Sequence, residues 1–302
     1  MPLSIIIVTH NSGKLLEQCI SKLLLSSIDI QIIISDNNST DGSVSSLQQA
    51  YSEYTNLIIH YNHANIGFAA ANNAAYKYVD TQTNYTLFMN PDCLLETATL
   101  EKMCAVLDKY PQAAIAGGLL CNLDGSEQRG GRRQIPNPWR SFMQSLYLDK
   151  IFPNSSWAAS GNLLHQPLPK RPQYVDIVSG AFMLVSNLAI GQVGLWDDKY
   201  FLHCEDADWC MRFNQAGYKV LFVPQVKILH AKGESSMAKP IFVEWHKHKS
   251  MQRFYKKFFY KRYPKVFGWL ITAAIWCRFL LVVLLVKTRL VSYARLMGKK
   301  SI

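Results

Sequence analysis

Acidic and amide side chains in this sequence stand directly after apolar runs, where they could bind a ligand or a metal. The tetrapeptide "NPDC" follows the apolar run at residues 85–89, so Asp92 stands where a buried strand would emerge into solvent. A carboxylate at a rigid strand end can hold a ligand or a divalent cation in fixed geometry. The alternative is a Pro-Asp turn that ends the strand.

A second acidic group could carry acid–base chemistry. Glu205 and Asp206 are adjacent in "CEDADW", at the start of a helix predicted over residues 205–215. A carboxylate fixed beside a reacting hydroxyl can accept its proton as a general base. The alternative is an acidic first turn that complements the helix dipole, and we expect Asp208 to be structural.

Two further clusters offer hydrogen-bonding groups that suit a nucleotide. Asp36 begins "DNNSTDGS", where its carboxylate can accept from a base N–H or a ribose hydroxyl, and Asn38 follows it. Thr9 and Asn11 hold the equivalent place in "VTHNS". Local structure is the alternative for both clusters: an Asx-turn for the first, most of all at Asp41, and a helix cap for the second.

The stretch "NIGFAAANNAA" predicts a close approach of a helix to another group. Gly67 and the small residues after it allow the helix start to lie against a backbone or a nucleotide. Packing alone explains the alanines, but it explains Asn65, Asn72 and Asn73 less readily.

Several common site types are missing from the sequence. No GxGxxG follows a predicted strand and there is no GxxxxGK[ST], so the usual glycine-rich phosphate cradles are absent. The 7 cysteines contain no CxxC pair, which predicts reduced thiols in a cytosolic compartment and argues against a disulfide frame or a zinc site.

The polar clusters are positioned by alternating strands and helices. Apolar runs predict strands at residues 4–10, 30–35, 57–61 and 85–89, separated by helical patterns at 15–25, 43–51 and 67–79. This alternation predicts a mostly parallel sheet covered on both faces. Because parallel strands end at one edge, we expect the four polar clusters to form a ligand site there.

Regular patterning weakens between residues 117 and 174 and then returns. The weak region predicts a mobile excursion or an acceptor-binding region. A strand with a glycine break is predicted at 175–185, a helix at 205–215, and strand-like runs around Pro224 at 218–230.

The C-terminal region is basic and apolar. The chain carries 32 Lys+Arg against 21 Asp+Glu, a formal net charge of +11, with the excess concentrated after about residue 246. Residues 266–286 are apolar except for Arg278 and are long enough to cross a bilayer. Because Arg278 lies near the middle and basic, aromatic residues precede it, we favour a membrane-surface helix over a span, and either over a buried core helix.

Six motifs together carry a family resemblance. "VTHNS", "DNNSTDGS", "NIGFAAANNAA", "NPDC", "VSGAFMLV" and "FLHCEDADWCMR" occur in order over residues 3–235. The chain thereby resembles the inverting family 2 glycosyltransferases of GT-A fold, an α/β fold with a Rossmann-like nucleotide-diphospho-sugar-binding sheet. It resembles the rhamnosyltransferase branch most, because "GGRRQIPNPW" at 130–139 is similar to an Arg-Arg-Pro segment of those enzymes.

The resemblance implies roles for particular residues. Asp206 would be the base in direct displacement at the anomeric carbon, with Glu205 orienting the acceptor or serving as the base in its place. A divalent Mg²⁺ or Mn²⁺ would be held by Asp92 and His230. The family's Asp-x-Asp is reduced here to Asn90-Pro91-Asp92, which predicts a weakly held metal borne largely by the nucleotide. A structural hydrogen bond is the alternative for His230. The implied donor-binding residues are Thr9, Asn11, Asp36, Asn38, Asn65, Gly67, Asn72, Asn90, Asp92, Gly180, Arg132 and Arg133.

Three of these assignments have a specific physical reason and an alternative. Gly180 would let the donor sugar and the acceptor approach the backbone, and a strand kink is its alternative. The guanidinium groups of Arg132 and Arg133 match phosphate oxygens and would clamp a diphosphate. A solvated basic loop is the alternative for both arginines.

The sequence therefore predicts an enzyme that moves L-rhamnose from dTDP-L-rhamnose to a polyprenyl-diphosphate-linked saccharide in cell-surface polysaccharide synthesis, such as lipopolysaccharide O-antigen. We predict a GT-A domain over residues 1–240, with a nucleotide-binding half at 1–116 and an acceptor and catalytic half at 117–240. A helical membrane-associating region at 241–302 would hold it, peripheral or monotopic, on the cytoplasmic face of the inner membrane. The alternatives are a UDP- or GDP-sugar donor, a nucleotidyltransferase, and a catalytically silent nucleotide-sugar-binding subunit. Nucleic-acid binding is disfavoured, because the basic charge is interleaved with the apolar run.

Overall fold

The computed structural model describes residues 2–138, 140, 161–231 and 239–288. Several parts of the chain lie outside the described residues. They include Trp139 of the Arg-Arg-Pro-like segment, residues 141–160 of the predicted excursion, and residues 232–238 and 289–302.

The N-terminal half alternates strands and helices as predicted. Its strands bury β-branched and other apolar residues, and α1 buries one apolar stripe, including Leu16 and Ile20. The elements are β1 (Leu3–Thr9), α1 (Lys14–Leu23), β2 (Ile30–Asp36), α2 (Ser43–Ala50), β3 (Leu57–Tyr61), α3 (Phe68–Tyr76), β4 (Tyr85–Met89), β5 (Cys93–Leu95) and α4 (Thr99–Asp108).

The C-terminal half completes the sheet and adds a helical hairpin. Its elements are β6 (Ala113–Cys121), β7 (Arg132–Arg133), a 3₁₀ turn (Leu163–His165), β8 (Gln173–Val175), β9 (Ile177–Val178), β10 (Phe182–Ser186), α5 (Asn187–Val193), α6 (Glu205–Gln215), β11 (Lys219–His230), α7 (Pro240–Phe258), a second 3₁₀ turn (Tyr260–Arg262) and α8 (Lys265–Lys287).

One sheet of nine strands organises the described residues. Its order is β3-β2-β1-β4-β10-β6-β11-β5, with β8 also paired to β11. The strands β3, β2, β1 and β4 run parallel, and β11 runs parallel to β6. This confirms the α/β class and the mostly parallel central sheet flanked by helices. The carboxyl ends of β1, β2 and β4 therefore share one edge.

Alternate residues of the strands pack on the two faces of the sheet. Ile5 and Ile7 belong to a core cluster with residues of α1, α2 and α4, whereas Ile6 and Phe88 belong to a second cluster with α3, α6 and α7. This period of two follows from the strand pleat, and it explains why the strands read as continuous apolar runs.

Two predicted strands differ in detail from the structure. The single strand predicted at 175–185 is divided into β9 and β10 by the turn at Gly180, and β10 runs antiparallel to both of its neighbours. The runs around Pro224 form one strand, β11, whose register against β6 shifts between Val223 and Lys227. This irregularity lies at the proline, which cannot donate a hydrogen bond to the ladder.

The hairpin of α7 and α8 packs against the sheet domain through α7. Phe254, Tyr255 and Phe258 of α7 are buried in the second core cluster. Arg278 of α8 lies 2.9 Å from Nε2 of His248, so the one charge within the apolar run faces α7. α8 is long and apolar enough to cross a membrane, and few of its side chains are buried.

Candidate active site

The ends of β1 and β2 are joined by hydrogen bonds at the carboxyl edge of the sheet. The backbone N–H of Asn37 donates to the carbonyl of Thr9 at 2.9 Å, and the Asp36 carboxylate accepts from the N–H of Ser39 at 3.0 Å. Thr9 donates to the hydroxyl of Ser12 at 2.8 Å, and both Thr9 and Asp36 are buried. These bonds fix Asp36 at the floor of the site.

Asn11 and Asn38 have left-handed backbone conformations, with φ of 54° and 63°. Asn11 does not cap α1, whose N-cap is Gly13. It accepts from the N–H of Thr40 at 2.8 Å, and so it ties the loop after β1 to the loop after β2. Asp41 accepts from the N–H and hydroxyl of Ser43, which is the predicted Asx-turn.

Gly67 joins the start of α3 to the segment that precedes α6. Its φ is +88°, and a Cβ at this position would lie 2.6 Å from the carbonyl oxygen of Phe201, so only glycine fits. Phe68 donates its N–H to that same carbonyl at 2.9 Å. Asn65 accepts from the Gly67 N–H at 3.2 Å, and Asn37 donates to the Gly67 carbonyl at 3.3 Å.

The two asparagines of α3 have structural contacts. Asn72 is buried and donates to the carbonyl of Phe68 within its own helix at 2.9 Å, so the structure does not place it with the strand-end cluster. Asn73 exchanges two hydrogen bonds with the backbone of Trp196, at 2.9 and 3.1 Å. Asn73 therefore holds the segment that leads to α6.

Asp92 and His230 lie side by side across the pairing of β5 with β11. A carboxylate oxygen of Asp92 is 3.1 Å from His230 Nε2, and the Asn90 amide nitrogen is 3.3 Å from the same atom. The residues that the resemblance assigned to a metal are thus in contact.

Gln128 sets the tautomer of this histidine. Its amide nitrogen donates to the His230 carbonyl and to Asn122, each at 3.1 Å, so its oxygen faces His230 Nδ1 at 2.6 Å. Nδ1 therefore donates to Gln128, and Nε2 faces the Asp92 carboxylate. A proton or a cation between Nε2 and this carboxylate makes the contact favourable.

A hard divalent cation fits Asp92 and His230. A carboxylate oxygen and a neutral imidazole nitrogen suit Mg²⁺ or Mn²⁺ with the remaining ligands from phosphate oxygens. The Cys93 thiol is also within 4.8 Å, but it donates to the carbonyl of Ala181. Burial, reinforced by the charge of Asp92, raises the pKa of Cys93 well above its ordinary value, so it stays a neutral thiol. A neutral, soft sulfur does not suit these metals.

Asp206 lies in the first turn of α6 and is held by three groups. Its carboxylate accepts from the N–H of Ala207 at 2.7 Å and from that of Gly180 at 3.3 Å, and it forms an ion pair with Arg133. Its side chain retains 15% exposure, so a hydroxyl can still reach it. Two successive left-handed residues, His203 and Cys204, precede the helix and set its direction.

Glu205 has a different environment although it is adjacent in sequence. Its side chain is buried, and its Oε2 makes no hydrogen bond within the described residues. Burial, followed by the neighbouring charge of Asp206, raises the pKa of Glu205 to about 8. Glu205 is therefore mainly protonated at neutral pH.

The segment at Gly180 and Ala181 connects Asp206 to the strand end that carries Asn90 and Asp92. Gly180 donates to Asp206, and the carbonyl of Ala181 accepts from the N–H of Asn90 at 2.9 Å. The ring of Phe68 also lies 3.5 Å from the position of a Cβ at Gly180. These contacts bring the ends of three strands and the start of α6 into one site.

The structure separates the two arginines of β7. Arg132 is buried, pairs with Glu127 at 2.7 Å and donates to the carbonyl of Gln166 at 2.7 Å. Its guanidinium therefore binds groups of the protein itself. The prediction that Arg132 would clamp a diphosphate does not fit this position. Arg133, on the opposite side of the strand, contacts Asp206 and has 27% side-chain exposure.

Two functional features were not found from the sequence. Gln128 lies in a turn-rich segment, and no residue pattern there indicates that it would orient His230. The buried Asp208, expected to be structural, accepts from Tyr200 and pairs with Arg212 and with Lys257 of α7 at 2.6 Å. Its role as an anchor for α7 depends on contacts between distant segments.

Known proteins with related sequences indicate the family of the chain. The model of the family "Glycosyl transferase family 2" matches residues 4–163. The chain is 29% identical to N-acetylglucosaminyl-diphospho-decaprenol L-rhamnosyltransferase of Mycobacterium tuberculosis, over 79% of this chain and 78% of that protein. It is 27% identical to Rhamnosyltransferase WbbL of Escherichia coli K12, over 75% of this chain and 82% of that one.

Solved structures with little sequence identity share the fold. The mannosyltransferase PcManGT of Pyrobaculum calidifontis, in complex with GDP-Man and Mn²⁺, superimposes with a TM-score of 0.57 at 14% identity, covering 91% of this chain and 69% of that one. GalNAc-T7 with UDP, GalNAc and Mn²⁺ gives a TM-score of 0.58 at 15% identity over 85% of this chain. This chain spans only 48% of the GalNAc-T7 chain.

Proposed function

The chain belongs to glycosyltransferase family 2, and from that premise we propose that it transfers L-rhamnose from dTDP-L-rhamnose to a polyprenyl-diphosphate-linked saccharide. The observation that carries the proposal is the junction at Gly180 and Ala181, which contacts Asp206 on one side and Asn90, beside the Asp92–His230 pair, on the other. A base and a metal-binding pair at one site suit displacement of a diphosphate by a hydroxyl.

Asp206 acts as the general base in this reaction. The acceptor hydroxyl attacks the anomeric carbon from the side opposite to the diphosphate, and Asp206 accepts its proton as the new glycosidic bond forms. The N–H groups of Gly180 and Ala207 orient the carboxylate. Inversion follows because attack and departure occur on opposite faces of the sugar.

Asp92 and His230 would hold the divalent metal. When bound, the metal would neutralise the charge that develops on the departing diphosphate. Within the described residues the carboxylate and Nε2 would provide two ligands, so the nucleotide would supply much of the remaining coordination. Arg133 pairs with Asp206, and its partly exposed guanidinium would suit a diphosphate oxygen.

Glu205 assists by staying protonated. Its raised pKa keeps a hydrogen-bond donor beside the base at neutral pH. A neutral carboxylic acid can donate to an acceptor or donor hydroxyl without adding a second negative charge next to Asp206. This role orients a substrate group and does not remove a proton.

The relatives support rhamnose as the sugar and a lipid diphosphate as the carrier. The M. tuberculosis relative is named for transfer of L-rhamnose to an N-acetylglucosaminyl-diphospho-decaprenol. A dTDP-rhamnosyl transferase RfbF of Shigella flexneri is 22% identical over 57% of this chain and 51% of that protein. The exposed apolar face of α8 fits a position on the cytoplasmic face of the inner membrane, where such a carrier would present its saccharide.

The test is transfer by the purified full chain to decaprenyl-diphosphate-GlcNAc, with Mn²⁺ or Mg²⁺ and a panel of dTDP-, UDP- and GDP-sugars. Mass spectrometry reads the product. We expect transfer from dTDP-L-rhamnose, and a loss of about 100-fold to 10,000-fold in Asp206→Asn with donor binding retained. The exposed Asp198→Asn is the control.

Two outcomes would count against the proposal. A product from another donor would show that dTDP-L-rhamnose is not the donor. Normal turnover in Asp206→Asn would show that Asp206 is not the base. Nucleotide binding without any product from the panel would favour a silent binding subunit.

A further inference from the structure

We propose that a groove between α7 and α8 binds the polyprenyl chain of the acceptor lipid. The groove has a volume of about 680 Å³ and is lined by residues that include Lys256, Tyr260, Gly268, Trp269, Ala273 and Trp276. This inference rests on the proposed function, because it names the part of the molecule that holds the lipid of that same acceptor. The groove volume lies within the range of about 300–1,000 Å³ that small-molecule sites occupy.

The walls of the groove suit a hydrocarbon chain. Trp269 and Trp276 lie seven residues apart on α8, so they face the same side of the helix, and Ala273 between them leaves the space open. A Cβ at Gly268 would lie 2.8 Å from the ring of Tyr260, so the glycine allows this ring to pack against α8 and close one end. Lys256 is the one charged residue in the lining, and its ammonium group can remain in water while its stem covers apolar surface.

Aromatic contacts lead from the active site to the groove. Phe201, whose carbonyl contacts the Gly67 turn, lies 5.5 Å from Phe242 of α7 between ring centroids. Phe242 and Trp245 are three residues apart on the same face of α7, and Trp245 is 5.0 Å from Trp276 in the groove. Phe242 and Trp245 are exposed, so the track formed by these four aromatic residues is open to a ligand.

The combined length of the track and the groove selects a long lipid. From Phe242, in the track, to Lys256, in the groove lining, α7 rises about 21 Å at about 1.5 Å per residue. A lipid that follows the track from the catalytic site would therefore fill the groove only with isoprene units well beyond the first. A bilayer phospholipid could occupy the groove, but it would have no reason to follow the track from the catalytic site. The continuity of the track with the site thus favours the acceptor's own chain.

Chain-length dependence is the test. GlcNAc-diphosphate is presented to the full-length protein in detergent on decaprenol or on geraniol, and the kinetics are compared for the wild type, Ala273→Trp and Ala274→Trp. Ala273 lines the groove, whereas the neighbouring Ala274 is exposed and does not line it. Each buried methylene contributes to affinity, so filling the groove should raise KM for the decaprenyl acceptor about tenfold or more. We expect KM for the geranyl acceptor and kcat to be unchanged, and Ala274→Trp to match the wild type.

A second measurement does not depend on transfer. A photoreactive decaprenyl-diphosphate-GlcNAc should label the peptide of α8 that contains Trp269 and Trp276 in the wild type and much less in Ala273→Trp. Thermal unfolding checks that the variant folds, and Ala273→Leu replaces it if it does not. Labelling without rhamnose transfer would support the groove while overturning the proposed donor or reaction.

Three results would overturn the groove as the lipid site. These are an equal change in KM for both chain lengths, no change for either, and labelling that phosphatidylglycerol vesicles abolish as effectively as unlabelled decaprenyl diphosphate. The last result would show that a bilayer phospholipid occupies the groove.

Discussion

Asp206 and Glu205 show how burial separates the roles of two adjacent acids. Asp206 accepts hydrogen bonds from two N–H groups and pairs with Arg133, whereas Glu205 is buried without a hydrogen bond to Oε2 in the described part of the chain. Sequence alone presents them as one acidic first turn. The direction of each side chain at the helix start decides which one can serve as a base.

The raised pKa of Glu205 makes protein stability depend on pH. Its folded pKa of about 8 exceeds the ordinary value of 4.5, so the unfolded chain releases this proton first as the pH rises. Stability should fall between about pH 4.5 and about pH 8, by at most about 1.4 kcal/mol per pH unit from this group. Glu205→Gln should flatten that slope, so its Tm relative to the wild type should rise from pH 5 to pH 8.

The comparison uses thermal unfolding of both proteins across this pH range. Substitution of the exposed Glu53 by Gln should leave the slope unchanged. Parallel profiles for the wild type and Glu205→Gln would show that Glu205 is ionised in the folded protein over the whole range.

Metal-dependent donor binding should be sensitive to Asp92 and, more weakly, to Gln128. Asp92→Ala removes a ligand, whereas Gln128→Leu removes the acceptor that fixes the tautomer of His230. Loss of such an orienting group typically costs about 10-fold to 100-fold in metal affinity. Titration of Mn²⁺ in the presence of dTDP-L-rhamnose, followed by calorimetry, measures both effects.

The exposed Asp124→Asn, in the same turn-rich segment as Gln128, provides the control. An unchanged Mn²⁺ titration in Asp92→Ala would show that Asp92 does not bind the metal and that "NPDC" is only a turn at the strand end. An unchanged titration in Gln128→Leu alone would show that the bond to Gln128 is structural.

Among the elements, the turn at Gly67 is the point where the two halves of the domain meet. The start of α3 contacts the carbonyl of Phe201, and Asn37 holds the same turn from the side of β2. The first four strands of the domain are thus connected to the segment that precedes α6. A change at this turn should affect both donor binding and the position of Asp206.

Gly67→Ala should destabilise the protein more than the same substitution at a glycine that has a similar positive φ but no neighbouring atom close to the position of a Cβ. Gly217 has φ of +91°, and no atom lies within 4 Å of the position that a Cβ would occupy. Gly67 has φ of +88°, and its Cβ position lies 2.6 Å from the backbone oxygen of Phe201. Gly217→Ala should cost about 1–2 kcal/mol, the usual cost of a left-handed residue with a Cβ. Gly67→Ala should cost more and weaken donor binding. Chemical denaturation compares the two, and equal losses would contradict a steric role for the Phe201 carbonyl.

The sequence was sufficient for the elements whose signal is local. The strands β1, β2, β3 and β4 and the helices between them follow from apolar periodicity, and the polar clusters at their ends follow from the parallel arrangement. The antiparallel insertion of β10 between β4 and β6 could not be predicted in this way, because pairing between distant segments leaves no local pattern. The same reason applies to Arg132, whose partner Glu127 and whose burial depend on how the turn-rich segment folds.

At the scale of the whole molecule, the hairpin of α7 and α8 is fixed to the catalytic region. Arg253 and Lys257 pair with Asp197 at 2.6 and 2.8 Å, and Ser250 donates to the carbonyl of Leu202. Burial opposes ionisation of Asp197, but these partners more than offset it and lower its pKa to about 2. The outer surface of α8 is apolar, with Trp269 76% exposed.

Membrane binding should depend on that outer surface. The double substitution Leu270→Glu and Leu281→Glu changes exposed side chains, so it should preserve the fold while it removes binding to anionic vesicles. Flotation of the full chain measures the effect. Leu188→Glu, at an exposed position of α5, is the matched control. Retained flotation of the double variant would show that another surface binds the membrane.

The attachment of α7 to Asp197 and Asp208 also affects how the enzyme would find its acceptor. With α8 at the bilayer, the ion pairs would hold the catalytic cleft at a set height and tilt above the lipid headgroups. An acceptor that diffuses laterally would then meet the cleft by a search in two dimensions, with the enzyme already oriented. Turnover would consequently follow the surface density of the acceptor in the membrane and not its concentration averaged over the volume of the cell.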